Sequence, residues 1–167
     1  MARDGVASLT LDAVAREAGV SKGGLLYHFP NKSSLVLGVV ESHAQECEAN
    51  HARCLADVKG GPGAFTRAYV AARVDEPIDA DDVRIHTALI AAAGTDPQYA
   101  EPFRKRLLEW QARLESDGID PVTATIVRLA TDGLCFGKLL GLPGPSDTVR
   151  QQVTQRLMDM IDKAKRT

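Results

Sequence analysis

The stretch TLDAVAREAGVSKGGLLYHF at residues 10–29 constrains this chain more than any other part of it. It holds two apolar-periodic segments, each too short to be stable as an isolated helix, joined by a tight turn at Gly19. Thr10 is placed to cap the first, from about Leu11 to Ala18, and Ser21 to cap the second, which ends before Pro30. Ala13, Val14, Ala18, Val20, Leu25, Leu26 and Phe29 are expected to hold the pair together, with Ala13 and Ala18 letting the helices approach. Gly19 supplies the positive φ that the turn needs.

The second segment opens on Lys22-Gly23-Gly24, a poor choice if stability were its only purpose. A glycine inside a helix costs about 1 kcal/mol relative to alanine. The gain from Gly23 and Gly24 would be close approach of the backbone to something outside the chain. A steep helical pair of this kind presents the start of its second helix to the DNA major groove. Lys22 can donate to a guanine edge or a phosphate, and Ser21 with the free amides at the helix start suits a phosphate oxygen. Tyr27 and His28 can donate to phosphate, and Lys32, at the start of the next helix, can pair with it. Phosphate contacts fix register, and base contacts carry specificity.

Net charge is −2, which argues against a protein coated in positive charge. Locally the balance differs: residues 16–35 carry Arg16, Lys22 and Lys32 against Glu17 alone, while 75–82 (DEPIDADD) hold five acids. A mildly basic headpiece on an acidic body permits DNA binding. At 44% hydrophobic the 167 residues can bury a sizeable core, and 5% aromatics with abundant Ala and Leu favour helix. The spacing predicts further helices from Lys32 to about Val58 (capped by Asn31), Ala64–Val74, Asp81–Ala93, Pro97–Ser116, Pro121–Leu140 and one capped by Ser146. That makes roughly eight helices, an all-α fold. No apolar run nears the roughly 20 residues of a membrane span. The N-terminus lacks the apolar stretch of a signal peptide. Cys47, Cys54 and Cys135 are odd in number and irregularly spaced, which suits reduced thiols in a cytoplasm.

The run LTLDAVAREAGVSKGGLLYHFPNKSSL resembles the DNA-binding signature of the TetR family of bacterial repressors over residues 9–35. The resemblance implies a helix-turn-helix DNA-binding domain at 1–35 and an all-helical ligand-binding and dimerisation domain at 36–167. By matching positions it gives the DNA-contact role to Thr10, Ser21, Lys22, Gly23, Gly24, Tyr27, His28 and Lys32. It implies no enzyme and no cofactor, but operator DNA, a small-molecule inducer and a second copy of the chain as partners, with no membrane. It also implies a four-turn helix ahead of the motif, where only MARDGVASL precedes Thr10 and ARDG looks like that helix's tail. Three or four large side chains on such a helix would bury about 5–10 kcal/mol. A translation start upstream of Met1 is therefore expected.

The resemblance further implies an inducer cavity, for which Tyr69, Arg84, His86, Phe103, Trp110 and Phe136 are candidates, Arg84 facing an anionic ligand; aromatics on helical stripes otherwise serve as core. It places the dimer on the last two helices, at 121–140 and 146–165. There Gly133, Gly137 and Gly141 recur every fourth residue beside Leu134 and Leu140, and Val149, Val153, Leu157 and Met160 line the neighbouring apolar face. Small residues so spaced suit a two-fold interface or close packing within one subunit. A separate reading concerns His43, Cys47, His51 and Cys54, which share one helical face. They are candidate zinc or copper ligands of a metal-binding dimer without operator binding, or plain members of a buried stripe, and one straight helix cannot wrap a tetrahedral ion alone.

Overall fold

The structure, a computed structural model, describes residues 9–74 and 80–164, without the side chains of residues 80–82, 84 and 85. The expected truncated first helix falls on residues 1–8 and lies outside them. Eight α-helices and no β-strand occur among the described residues: α1 (Leu11–Glu17), α2 (Lys22–His28), α3 (Lys32–Asp57), α4 (Ala64–Val74), α5 (Ala80–Thr95), α6 (Glu101–Glu115), α7 (Pro121–Leu139) and α8 (Asp147–Lys163). A short 3-10 turn, Pro97–Ala100, joins α5 to α6.

Local chemistry starts and stops these helices. Thr10, Ser21, Asn31 and Ser146 each accept a hydrogen bond from a backbone N–H of the helix they precede. Asn31 does so within a capping box: Ser34 N donates to its Oδ1 at 2.9 Å, and Asn31 N donates back to Ser34 Oγ at 3.2 Å. Gly19 has φ +66°, the left-handed conformation that closes α1 and turns the chain into α2.

Two hydrophobic clusters organise the molecule, and α3 belongs to both. Near its start, Leu35, Val36 and Val40 pack with Leu9 and with Leu89 and Ala92 of α5, while Val14, Phe29, Tyr99 and Phe103 close the edges. The division expected after residue 35 thus falls inside one unbroken helix and one shared cluster. Farther along, His51 of α3 is 1% exposed and packs on the larger cluster. That cluster joins Phe65, Tyr69, Val70 and Val74 of α4 to Trp110 and Leu114 of α6, Ala124 and Val127 of α7, and Leu157 and Ile161 of α8. Helix α4 is apolar around most of its circumference, as a central helix must be.

Helix α4 is capped from a distance. Asp117, in the turn after α6, accepts from Phe65 N at 3.1 Å, and from Thr66 N and Thr66 Oγ1 at 2.7 Å each. Thr66 is buried, so loss of that carboxylate leaves polar groups without water or a partner. Asp117→Ala is expected to cost about 2–4 kcal/mol, three charge-assisted bonds and a helix cap being lost together. Urea unfolding measures it, and a change within experimental error would contradict the capping role.

The helix-turn-helix packing differs in one respect from expectation. Ala15 is the buried residue of α1, while Ala13, Ala18 and Val20 are exposed, Val20 at 49%. The face that α1 turns inward runs through Leu11, Val14 and Ala15, which leaves Ala13 and Ala18 on the outside of a seven-residue helix.

Candidate functional site

The N-terminal end of α2 is an exposed polar edge. Ser21, Lys22, Gly23, Gly24, Tyr27 and His28 all face solvent, Tyr27 at 84%. Leu25 alone is buried on this helix, and it anchors α2 against the headpiece. A Cβ added at Gly23 would meet nothing within 4 Å, so no contact inside the chain requires glycine there. At Gly24 the added atom would lie 3.2 Å from Ser21 Oγ, the oxygen that caps the helix through Gly24 N at 3.0 Å. Thr10 stands exposed at the start of α1, its Oγ1 accepting from Ala13 N. Lys32, in the first turn of α3, is half-buried.

Asp12 is a participant that the sequence reading missed. Its carboxylate holds Lys22 Nζ at 2.9 Å across the two short helices, with both side chains more than half exposed. An exposed pair of this kind contributes little to stability and exchanges readily for a phosphate or a base edge. Its signal was present in the sequence, as the acid in the first turn of α1, but the ten-residue separation hid the pairing.

In the body, the inducer candidates fall into separate groups. Tyr69 and Trp110 meet edge to face at 5.7 Å between centroids, sealed in the core. Their faces are occupied by Arg73, whose Cζ lies 3.6 Å from the Tyr69 centroid and 4.4 Å from that of Trp110. Asp132 accepts from the Tyr69 hydroxyl at 2.7 Å and from Arg128 Nη1 at 3.2 Å, and lies 3.7 Å from Arg73 Nε. Burial, with Asp132 beside it, pushes the Tyr69 phenol far above its ordinary range. His86 and Phe103 form a second group around His43, at 4.1 and 5.7 Å between centroids, where α3, α5 and α6 meet. The Arg84 side chain lies outside the described residues. Phe136 lies on α7 and is 48% exposed, with no ring contact to either group among those described. An open groove of about 650 Å³ runs between α3 and α6, lined by Leu37, Glu41, Ala44, Pro102, Lys105 and Glu109 among others, and by none of the six candidates.

Phe136 instead joins a surface stripe. Val122, Ile126, Leu129, Phe136 and Leu140 are exposed on α7 and at its end, at steps of four, three, seven and four, and Gly133 fills the position between. All of these lie on one helical face. Added Cβ atoms at Gly133 and Gly137 would meet open space. Val149 at the start of α8 is 45% exposed. Leu157, by contrast, is 4% exposed inside the protomer's own core, and Leu134, Val153 and Met160 pack partly buried against that core. Helix α7 is apolar on two faces, Ala124, Val127 and Thr131 filling the inner one, and sequence spacing alone does not say which face turns out.

Of the four residues weighed as metal ligands, the two histidines face different surroundings, while Cys47 and Cys54 are half-buried. His51 turns into Phe65, Tyr69 and Trp110 and contacts the Phe65 carbonyl at 3.4 Å. His43 lies against His86, with its Nε2 3.7 Å from Cys47 Sγ. Among the described residues no three His, Cys, Asp or Glu side chains are grouped to hold a metal ion.

All-helical among its described residues, with a helix-turn-helix ahead of the long α3, the chain has the architecture of a helical DNA-binding regulator. Sequence profiles narrow the class: one for bacterial regulatory proteins of the tetR family matches residues 1–39, and one for the tetracyclin repressor-like C-terminal domain matches residues 63–162. The chain belongs to the TetR family and is a transcriptional regulator, not an enzyme. Solved structures agree in fold. A Streptomyces coelicolor A3(2) protein described as a transcriptional regulator matches with TM-score 0.70 and 20% identity, over 96% of this chain and 90% of its own. A Saccharomonospora viridis protein so described, in complex with choline, gives 0.69 and 19%, over 99% and 92%. Salmonella enterica GusR gives 0.65 and 16%, over 96% and 88%. No helix among the described residues is long and apolar enough to cross a membrane.

Buried His51 and half-buried Glu48 are expected to make the body's stability depend on pH. Burial lowers the His51 pKa from its ordinary 6.5, more than the Phe65 carbonyl raises it, and the Arg73 charge adds to the lowering. Burial pushes Glu48 up, but hydrogen bonds from Arg106 and Trp110 and the Arg106 charge together hold it below its ordinary 4.5. For His51 the unfolded chain takes up a proton near pH 6.5 that the folded one resists, so its contribution is whole above that pH and declines below it. Glu48 adds stability above its ordinary value that is lost at lower pH. Urea midpoints should therefore fall as pH drops below about 6.5, and His51→Gln should flatten that decline. Equal slopes in the two proteins would contradict the assignment.

Proposed function

We propose that this regulator is a repressor that binds operator DNA as a homodimer and leaves it when a small molecule occupies the body. The single observation that carries the reading is the outer edge of α2. Gly23 faces open space and Tyr27 is almost wholly exposed, so the fold itself does not account for these residues. In this reading Lys22 reads a base edge, with Gly23 and Gly24 allowing the backbone to approach. Thr10, Ser21, Tyr27, His28 and Lys32 fix register on phosphates. Residues 1–35 form the reading unit and 36–167 the sensing and pairing unit.

The second copy would cover the α7 stripe. Exposed apolar residues aligned along one face of α7 are poor neighbours for water, and the two glycines let a partner helix lie close. Inducer sensing is assigned to the His86 and Phe103 group, where α3, α5 and α6 meet, with Tyr69 and Trp110 reached only if Arg73 moves off their faces. The choline held by the Saccharomonospora viridis protein supports a small-molecule role for this body.

Gel-shift with DNA flanking the regulator's own gene tests the reading. Binding should be sequence-selective and weaken with salt. Lys22→Ala should lose discrimination by about 1–3 kcal/mol, whereas Lys32→Ala should weaken all duplexes alike. Absence of any sequence-selective binding would overturn the proposal. Separately, Ile126→Glu or Leu129→Glu should convert a dimer to a monomer in sedimentation; a dimer that persists in both would place the interface elsewhere.

A further inference from the structure

We propose that Gly38 is a positioning residue for DNA reading: it leaves a notch in α3 that seats the Phe29 ring and so sets the tilt of α2. The proposal rests on the operator-binding reading above and adds a residue that touches no DNA. The steric observation is direct. A Cβ at position 38 would lie 2.6 Å from Phe29 Cε1, far inside van der Waals contact, and 3.3 Å from its Cζ, a few tenths of an ångström too close. Position 38 has no other reason to be glycine, since it lies within a long helix where alanine would be preferred.

Phe29 is well placed to govern the reading helix. It is the C-cap of α2, its N–H donating to Leu25 O at 2.8 Å, and only Pro30 separates it from the Asn31 cap of α3. Its ring packs at the edge of the cluster that contains Leu35, Val36 and Val40 of α3 and Leu89 and Ala92 of α5. The first turn of α3 is itself tied to the body, where the Tyr99 hydroxyl donates to Ser33 Oγ at 3.2 Å. The chain of contact therefore runs from the body, through Tyr99 and α3, to the notch, to Phe29 and then to α2. Helix α2 is seven residues, about 10 Å long at 1.5 Å per residue, so a displaced ring at one end moves Lys22 at the other. Hydrogen bonds to base edges weaken steeply with such misalignment.

The test uses the purified full chain, a labelled duplex from the DNA flanking its gene and a random-sequence duplex of equal length. Gly38→Ala should bind the flanking duplex about tenfold more weakly, the equivalent of one good base contact. It should keep its affinity for the random duplex and its unfolding midpoint, because alanine's helix preference offsets the crowding. Phe29→Leu in the Gly38→Ala background should restore discrimination, because Leu lacks the Cε1 and Cζ atoms and the Phe29 Cδ1 position is 3.6 Å from the added Cβ, an ordinary contact. Unchanged discrimination by Gly38→Ala would overturn the proposal. So would parallel loss on both duplexes with a lowered midpoint and no rescue, the mark of a merely structural residue. If the unsubstituted protein itself fails to discriminate, the operator-binding reading fails instead.

Discussion

Helix α3 carries two hydrophobic cores along one unbroken helix, and the rest of the structure depends on that sharing. Val36 and Val40 tie its first half to α5 and the headpiece, while His51 ties its second half to α4 and α6. A 26-residue helix spans about 39 Å at 1.5 Å per residue, so it reaches from the reading edge well into the body. Its start is fixed by the Asn31–Ser34 capping box and its flank by Tyr99. Both cores therefore rest on this one element, which joins the headpiece to the body.

The two ends of the molecule are built differently. The helix-turn-helix end is small, polar and sparsely packed, with Leu25 and Ala15 as the buried residues of α2 and α1. The body is dense and electrostatically locked: Arg73 sits on Tyr69 and Trp110, Asp132 gathers Tyr69, Arg73 and Arg128, and Asp117 caps α4 from another loop. Half-buried ion pairs of this sort cost desolvation and are sensitive to geometry. A ligand that disturbs them acts on packing around α4, the neighbour of α3.

Much of the architecture was legible because helix termini are decided locally. Thr10, Ser21, Asn31 and Ser146 each announce a helix start, and each caps one. The exposed polar edge of α2 was legible for a related reason: Lys22-Gly23-Gly24 is a poor choice for helix stability, and all three residues face solvent. Orientation and long-range pairing were not legible. Phe136 and Leu157 sit on helices with apolar residues on more than one side, so spacing could not tell core from surface. Asp117 acts on a helix far from it in sequence, and Arg73 reaches Trp110 on α6 as well as Tyr69 one turn back on its own helix; the long-range half of each pairing has no local mark. The Gly38 notch is visible only once Phe29 is seen lying against it.

The central claim is that the edge of α2 reads DNA in the context of a two-fold assembly. A footprint on the DNA flanking the regulator's gene tests it most directly. Two protected half-sites on one face of the duplex, their centres about 34–36 Å or a multiple apart, are the expected result. Protection of a single half-site would contradict the paired assembly, and protection without regard to sequence would contradict reading by α2.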